Sequence, residues 1–512
     1  MTTVFQSIKG RPLLFLITIL AVFILISVLL SISRAPWLDE GIFADSASNL
    51  AFKEVFGSTR WNTYIPTVVP ELPATDRYTY WQMPVYLVAV SAIFRVFGFS
   101  ILSMRAWSIG WGCVLIVAWY LTVFTLLKRN RTAAFLAAAL VACDAGNIVS
   151  AATGRPDTMV AALGALSIAC YLRYREMRLP VAIFLCASFQ ALAIFSHPIA
   201  LVHTAVALVM VLLLDRKRLR MGHLIPAAIT PSILLLGWSL YIAQAPQIFR
   251  MQLFGHASRR VSGLSSPLAA LVIDFRYRYI YWFWDLYRGV TRLKLLYIIA
   301  YFGSCLFLLV VPGVRRRVPE LRLLALFGVT AYVVLAILDN QEHPAYLIHT
   351  CCYFAVCCAG VAWWLITESH RPILWASATA ALLSLHLAGI AYQIARNTEA
   401  HSYAPLVSYI QQHSRPDSFI IGPAELLFGL GLNSHLEDDP RLGLRTHRTP
   451  DMIVRGAFSA LPAVLAKEEP LTAQFVAQRL NREYVRTFNN SEYAVYLPTT
   501  KTAKATQAGE SR

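Results

Sequence analysis

From Leu13 to Ile32 the chain reads "LLFLITILAVFILISVLLSI", an apolar run without a charge. At about 1.5 Å per residue it crosses the ~30 Å hydrocarbon core of a bilayer. A secretory signal carries only about 7 to 15 apolar residues before a small-residue cleavage site. This run is longer and is followed by Ser33-Arg34-Ala35-Pro36-Trp37, so it is read as a permanent first span. Runs of the same kind recur at 101–127, 132–152, 158–172, 181–195, 199–214, 224–243, 293–311, 321–338, 346–366 and 373–392, which predicts about eleven transmembrane helices. Val85 to Phe97 is short and holds Arg95, so it is predicted to lie at the membrane surface instead.

The charges test that assignment. With the first span running outward and Val85 to Phe97 not crossing, the basic loops at 128–131, 173–178, 216–220, 315–317 and Arg371 all fall inside. This is the side on which short loops concentrate Lys and Arg. Counting Val85 to Phe97 as a span would put every one of them outside. The outer face then carries a long first loop, Ser33 to Met104, a second, Gln244 to Arg292, turns near Arg155, His197 and His343, and everything after Ala395.

The composition agrees, since 57% of 512 residues are hydrophobic and only 14% charged, too apolar for a soluble enzyme. The net charge of +17 sits in short clusters between apolar runs, which reads as topology rather than as a surface for nucleic acid. After Ala395 the pattern changes. "DSFIIGP" and "EYVRTFNNSEYAVYLP" read as strands, and Ser402 to His413 and Leu471 to Leu480 as helices. The expected organisation is an all-α polytopic membrane bundle over 1–395, a small extracytoplasmic α/β domain over 396–498 and a disordered tail over 499–512. None of the nine cysteines lies after Cys358, so this domain has no disulfide, and "CCYFAVCC" reads as small packing residues in a span. Asn489-Asn490-Ser491 fits a glycosylation sequon and reads as accidental.

The chemistry gathers on the outer side. After Pro36, Ile42, Phe43, Ala47, Leu50 and Ala51 recur at helical spacing, predicting a short amphipathic helix over Asp39 to Phe52. Asp39 lies over its apolar stripe, while Glu40, about 100° further round, points sideways. A carboxylate held against apolar surroundings has a raised pKa and becomes a competent general base; capping of the helix is the plain alternative. In "GRPDTM", Pro156 and Asp157 suit a helix start, but Arg155, at the mouth of the bundle, invites an anion. The second loop adds Arg250, Arg259, Arg260, Arg276, Arg278, Arg288 and Arg292 against Asp274 and Asp285, a composition suited to phosphate. His197 and the Glu342-His343 pair sit at outer helix mouths, where a ligand and a capped polar turn look alike. A divalent metal is left open.

These residues, in this order, resemble the GT-C glycosyltransferases. The likeness is to the bacterial branch of the protein O-mannosyltransferases, the lipid A aminoarabinose transferase and the galacturonosyl transferases of lipopolysaccharide core. It covers about residues 10–395 and rests on the Asp39-Glu40 pair, Pro84-Val85-Tyr86, Arg155-Pro156-Asp157 and "EHPAYLI". The resemblance implies a multi-pass enzyme of the inner or plasma membrane, with its site and C-terminal domain extracytoplasmic. It would use a polyprenyl-phosphate-linked sugar donor and a lipid, glycan or protein acceptor. By the same resemblance Asp39 and Glu40 are the catalytic candidates, Asp39 activating the acceptor, and Arg155, Asp157, Arg259, Arg260, His343 and Tyr346 hold lipid phosphate or sugar. Relatives often carry a Lys or His before a Pro-Pro pair where this chain has Gln82-Met83-Pro84, so the phosphate contact is expected elsewhere. The alternatives are a transporter of an anionic or sugar-containing solute, whose charges belong near the midplane, and a non-catalytic envelope scaffold.

Overall fold

The structure is a computed structural model describing residues 12–60, 74–254, 266–283, 291–339, 343–444, 446–456 and 470–499. Pro12–Ser33 (α1) is followed by Leu38–Phe52 (α2), Pro84–Phe97 (α3) and Ile101–Leu126 (α4). Arg131–Cys143 (α5) and Ala145–Ala151 (α6) meet at a bend of 59°. Asp144 sits in the bend and caps α6 by accepting a hydrogen bond from Asn147 N–H at 2.9 Å. Then come Asp157–Tyr174 (α7), Leu179–Ile194 (α8), Leu201–Asp215 (α9), Leu224–Ile242 (α10), Pro267–Asp274 (α11), Thr291–Val310 (α12), Glu320–Leu338 (α13), Ile348–Glu368 (α14) and Pro372–Arg396 (α15).

Every apolar run expected to cross the bilayer lies in a helix. Among the described residues, seven helices are long and apolar enough to cross a membrane, eight when α5 and α6 count as one broken span. The other three expected spans are α7, α8 and α12. α8 has 16 residues, and α12 is described as apolar over Leu295–Val310. α7 is diluted by alanine, glycine and polar side chains because it is enclosed by protein; Asp157 through Ala165 are all buried. A helix shielded from lipid by its neighbours has less need of bulky apolar side chains than one facing lipid. The chain is a multi-pass membrane protein. Cys351, Cys352, Cys357 and Cys358 are free, buried packing residues on α14.

The first loop wraps one end of this bundle. α3 starts on Pro84, ends at Gly98 in the left-handed region (φ 80°), and buries Tyr86, Leu87, Val90 and Phe94 while Val88, Val96 and Phe97 are exposed. Arg95, the residue that argued against a span, donates from Nε to the Ala51 carbonyl at 2.8 Å and so fastens α3 to the end of α2.

Beyond α15, Ala404–His413 (α16) and Pro470–Gln478 (α17) flank a five-stranded sheet. Its strands are Phe419–Ile421 (β1), His435–Glu437 (β2), Met452–Gly456 (β3), Tyr484–Asn489 (β4) and Tyr493–Pro498 (β5), in the order β2-β1-β3-β5-β4. β1 runs parallel to β2 and β3, and β5 antiparallel to β3 and β4. Alternation gives it two buried faces: Ile420, Met452, Val454 and Val495 pack with Leu406 and Ile410 of α16, and Phe419, Ile421 and Ile453 with Val476 of α17. Strands β2 and β3 were not foreseen, because three and five residues without a clear alternation carry little signal. Of the expected tail, 500–512 lies outside the described residues.

This domain sits directly on α2. Gly41 faces the turn at Ala424, where a Cβ would stand 2.3 Å from the Ala424 carbonyl carbon, so only glycine permits the approach. Arg60 adds hydrogen bonds to the carbonyls of Leu432 (2.6 Å), Ser434 (2.8 Å) and Leu436 (3.4 Å). At the same interface, burial pushes the carboxyls of Glu425 and Asp438 up to about 8. Folded protein therefore holds protons that an unfolded chain releases near pH 4.3, and stability is full below that value and falls as the pH rises toward about 8. Glu425→Gln, which keeps an oxygen for the Tyr493 hydroxyl (3.3 Å), is expected to flatten the decline. Melting temperature measured from pH 5 to 8 checks this, and an unchanged slope in the variant would refute it.

Candidate functional site

α2 begins after Trp37, whose N–H donates to Glu40 Oε2 at 2.8 Å, so Glu40 rather than Asp39 satisfies the helix start. Glu40 is fully buried. Arg105 of α4 grips it with Nε to Oε1 (2.8 Å) and Nη2 to Oε2 (2.7 Å) and spends its other donors on the carbonyls of Ser31, Arg34 and Ala35. Gly154 N–H donates to Glu40 Oε1 at 2.6 Å. Burial alone would push this carboxyl up, but the Arg105 guanidinium and the Gly154 amide hold it below the usual carboxylate range. The Glu40–Arg105 pair thus ties α1, α2, α4 and the 153–155 turn together.

Asp39 keeps 24% of its side chain exposed, with its carboxylate paired to Arg155 Nη1 and 3.7 Å from His343 Nε2. The expectation that it lies over an apolar stripe is corrected: its neighbours are a guanidinium and an imidazole. α2 is enclosed on all sides from Glu40 to Asn49, by the bundle and by the C-terminal domain, so its apolar positions mark no single membrane-facing stripe.

Arg155 is buried, with its Cζ 5.1 Å from the Trp37 ring centre and 5.8 Å from that of Tyr346. Its Nε donates to Asp157 Oδ2 at 2.7 Å. Asp157, expected to touch substrate, is 1% exposed; its second oxygen lies 3.3 Å from His349 Nε2, so it faces Arg155 and His349. His343 stacks on Trp37 (ring centres 5.3 Å apart, 23°) and lies 5.4 Å from Tyr346. The Tyr346 hydroxyl is 3.5 Å from His197 Nε2.

The arginine-rich second loop is divided. Arg278 is fully buried, paired with Asp274 (2.7 Å) and Asp339 (3.0 Å), and donates to the His343 carbonyl at 2.6 Å. It anchors the turn that presents His343 and is not placed to meet a phosphate, a correction to the loop's expected role. Arg250 and Arg276 are exposed. Arg259, Arg260, Arg288 and Glu342 lie outside the described residues. Among the described residues no group of three or more His, Cys, Asp or Glu side chains could hold a metal ion.

Asp39, Arg155, Asp157, His343 and Tyr346 therefore meet at one end of the bundle, drawn from α2, the start of α7 and the turn before α14. Arg105, His203 and His349 were missed, although each is an ionisable side chain inside an apolar run, which is a signal for function or for a buried partner.

Residues 59–247, less than half of the chain, match the family described as Dolichyl-phosphate-mannose-protein mannosyltransferase. No curated protein matches by sequence. Among solved structures, ArnT from Cupriavidus metallidurans bound to undecaprenyl phosphate aligns over 95% of this chain and 98% of its own, at 12% identity and a TM-score of 0.60. Its apo state aligns over 96% and 98%, at 12% identity and 0.58. An Archaeoglobus fulgidus oligosaccharyltransferase tethered to an acceptor peptide aligns over 94% of this chain and 70% of its own, at 12% identity and 0.50. Likeness spread over nearly the whole chain at such low identity is likeness of fold, and the chain is a multi-pass membrane protein with the fold of the GT-C glycosyltransferases.

Proposed function

We propose that the chain transfers a single sugar from a polyprenyl-phosphate donor to an acceptor hydroxyl of a lipid, glycan or protein, at the outer face of the membrane and with inversion. The observation that carries the reading is Asp39: a partly exposed carboxylate, set beside Arg155 and His343 at the mouth of the bundle. Its acceptor contact and the phosphate contacts of Arg155 and His343 belong to the proposal. The donor class is supported by the match to a mannosyltransferase family and by a structural relative that binds undecaprenyl phosphate. The outward orientation is supported by connectivity. α7 and α9 start at the site end, and the basic residues at 173–178 and 216–220 follow their opposite ends.

In the reaction the acceptor oxygen bonds to the anomeric carbon as the bond from that carbon to the phosphate oxygen breaks. The electron pair leaves on the polyprenyl phosphate, and the acceptor proton passes to Asp39. A phosphate departs as an anion, so cations rather than a general acid assist it. Arg155, whose guanidinium already spans Asp39 and Asp157, stabilises that charge, with His343 beside it. Displacement in one step from the face opposite the leaving group inverts the centre.

Reconstitution in liposomes with a panel of radiolabelled polyprenyl-phosphate sugars tests the proposal. One donor is expected to be consumed, releasing polyprenyl phosphate and moving the label to an acceptor. Solute movement across the vesicles without release of polyprenyl phosphate would replace it with the transporter reading.

A further inference from the structure

Behind Asp157 the polar contacts continue into the bundle. His349 of α14 and His203 of α9 are both fully buried, and every ring nitrogen has a partner. His349 Nε2 is 3.3 Å from Asp157 Oδ1, His349 Nδ1 is 2.9 Å from His203 Nε2, and His203 Nδ1 is 2.7 Å from the Tyr353 hydroxyl. Asp157 as a carboxylate only accepts, so His349 Nε2 carries a hydrogen. In neutral rings the order then follows: the Tyr353 hydroxyl donates to His203, His203 Nε2–H to His349, His349 Nε2–H to Asp157. Arg155 Nε–H donates to the other Asp157 oxygen. Three side chains, Tyr353, His203 and His349, thus point their hydrogens one way and end on the Asp157 carboxylate, which Arg155 meets from the other side.

The backbone makes room for this chain. A Cβ at Gly164 of α7 would stand 2.5 Å from His203 Cγ and 2.7 Å from its Nδ1. The far end is fixed by Trp119, whose ring meets Tyr353 edge-on with centres 5.1 Å apart. None of these groups except Arg155 reaches the exposed part of the site.

Building on the proposed function, we infer that His349, backed by His203 and Tyr353, is a positioning residue that fixes Asp157 and through it the aim of Arg155 at the lipid phosphate. Without a donor from His349 the Asp157 carboxylate is free to rotate, and Arg155 loses one of the two anchors that orient its fork.

The test is binding of undecaprenyl phosphate to the full-length protein, titrated for wild type, His349→Leu, His349→Gln, Asp157→Asn and the double variant H349L/D157N. A hydrogen bond to a charged group is worth roughly tenfold or more, and a loss of that size is expected for H349L. H349Q, which keeps an N–H for Asp157, is expected to recover to within about fivefold of wild type, because one hydrogen bond to a charged group is worth that much or more. The double variant is expected to bind no worse than the weaker single variant. H349L binding as wild type does, no recovery in H349Q, or losses that multiply would each overturn the inference.

Melting temperatures for R155M, H349L and their double variant give a readout that needs no ligand. Both residues bond Asp157 and no hydrogen bond is seen between them, so shifts that fail to add support the link through Asp157, and additive shifts overturn it. Should wild type bind no undecaprenyl phosphate, the proposed function falls while this second measurement still decides the link. If H349L does not purify, Gly164→Ala, which displaces His203 without removing a polar group, is expected to weaken binding in the same way, and wild-type binding by it overturns the inference.

Discussion

Substituting Asn for Asp39 is expected to lower sugar transfer about a hundredfold or more, with yield and melting temperature close to those of wild type. Asn keeps the shape and still offers an oxygen to Arg155, but it cannot take the acceptor's proton. The stability half of the expectation follows from the ion-pair pattern: Arg155 retains Asp157, so no buried charge is stranded. Initial rates in liposomes, at matched amounts of folded protein, decide it. If the variant kept more than about a tenth of wild-type transfer, Asp39 would not be the base.

The neighbouring position should behave in the opposite way. Glu40→Gln leaves Arg105 fully buried without its counter-charge, and breaking one side of such a pair costs about 3–5 kcal/mol. The protein is expected to accumulate poorly or melt early. Replacing both partners, as in the double variant E40L/R105M, should regain much of the loss, since a well-packed apolar pair often matches a buried ion pair. Thermal unfolding across the three proteins, wild type, Glu40→Gln and E40L/R105M, is the measurement. A Glu40→Gln protein that melted like wild type but transferred no sugar would move Glu40 into the chemistry.

How much of this was legible in the sequence depends on the kind of force involved. A bilayer demands uninterrupted apolar length, so the spans could be read one by one, and short length, Arg95 and the sides of the basic loops together set α3 apart. The residues of the site could also be named, since Asp39, Arg155, Asp157, His343 and Tyr346 all stand at the ends of those runs. Their division of labour could not. The helical-wheel argument for Asp39 assumes one apolar neighbour, whereas α2 is covered on one side by the bundle and on the other by a domain nearly four hundred residues later. With no free face, the wheel carries no information about which acid is inside. The His203–His349 contact likewise joins positions 146 residues apart, and nothing local in "LVHTA" or "LIHTC" announces the other. β2 and β3 were invisible for a simpler reason: their order comes from pairing with β1, not from their own pattern.

The contact between Gly41 and Ala424 sets a condition on how such a protein can be recombined. The helix that carries Asp39 and the turn that covers it meet backbone to backbone, with no side chain between them to absorb a misfit. A C-terminal domain grafted from a relative would have to reproduce the path of that turn to within a few tenths of an ångström, or bring its own version of α2 along. The inheritable unit is therefore the first loop together with the last hundred residues, and a chimera cut at the end of α15 would divide it.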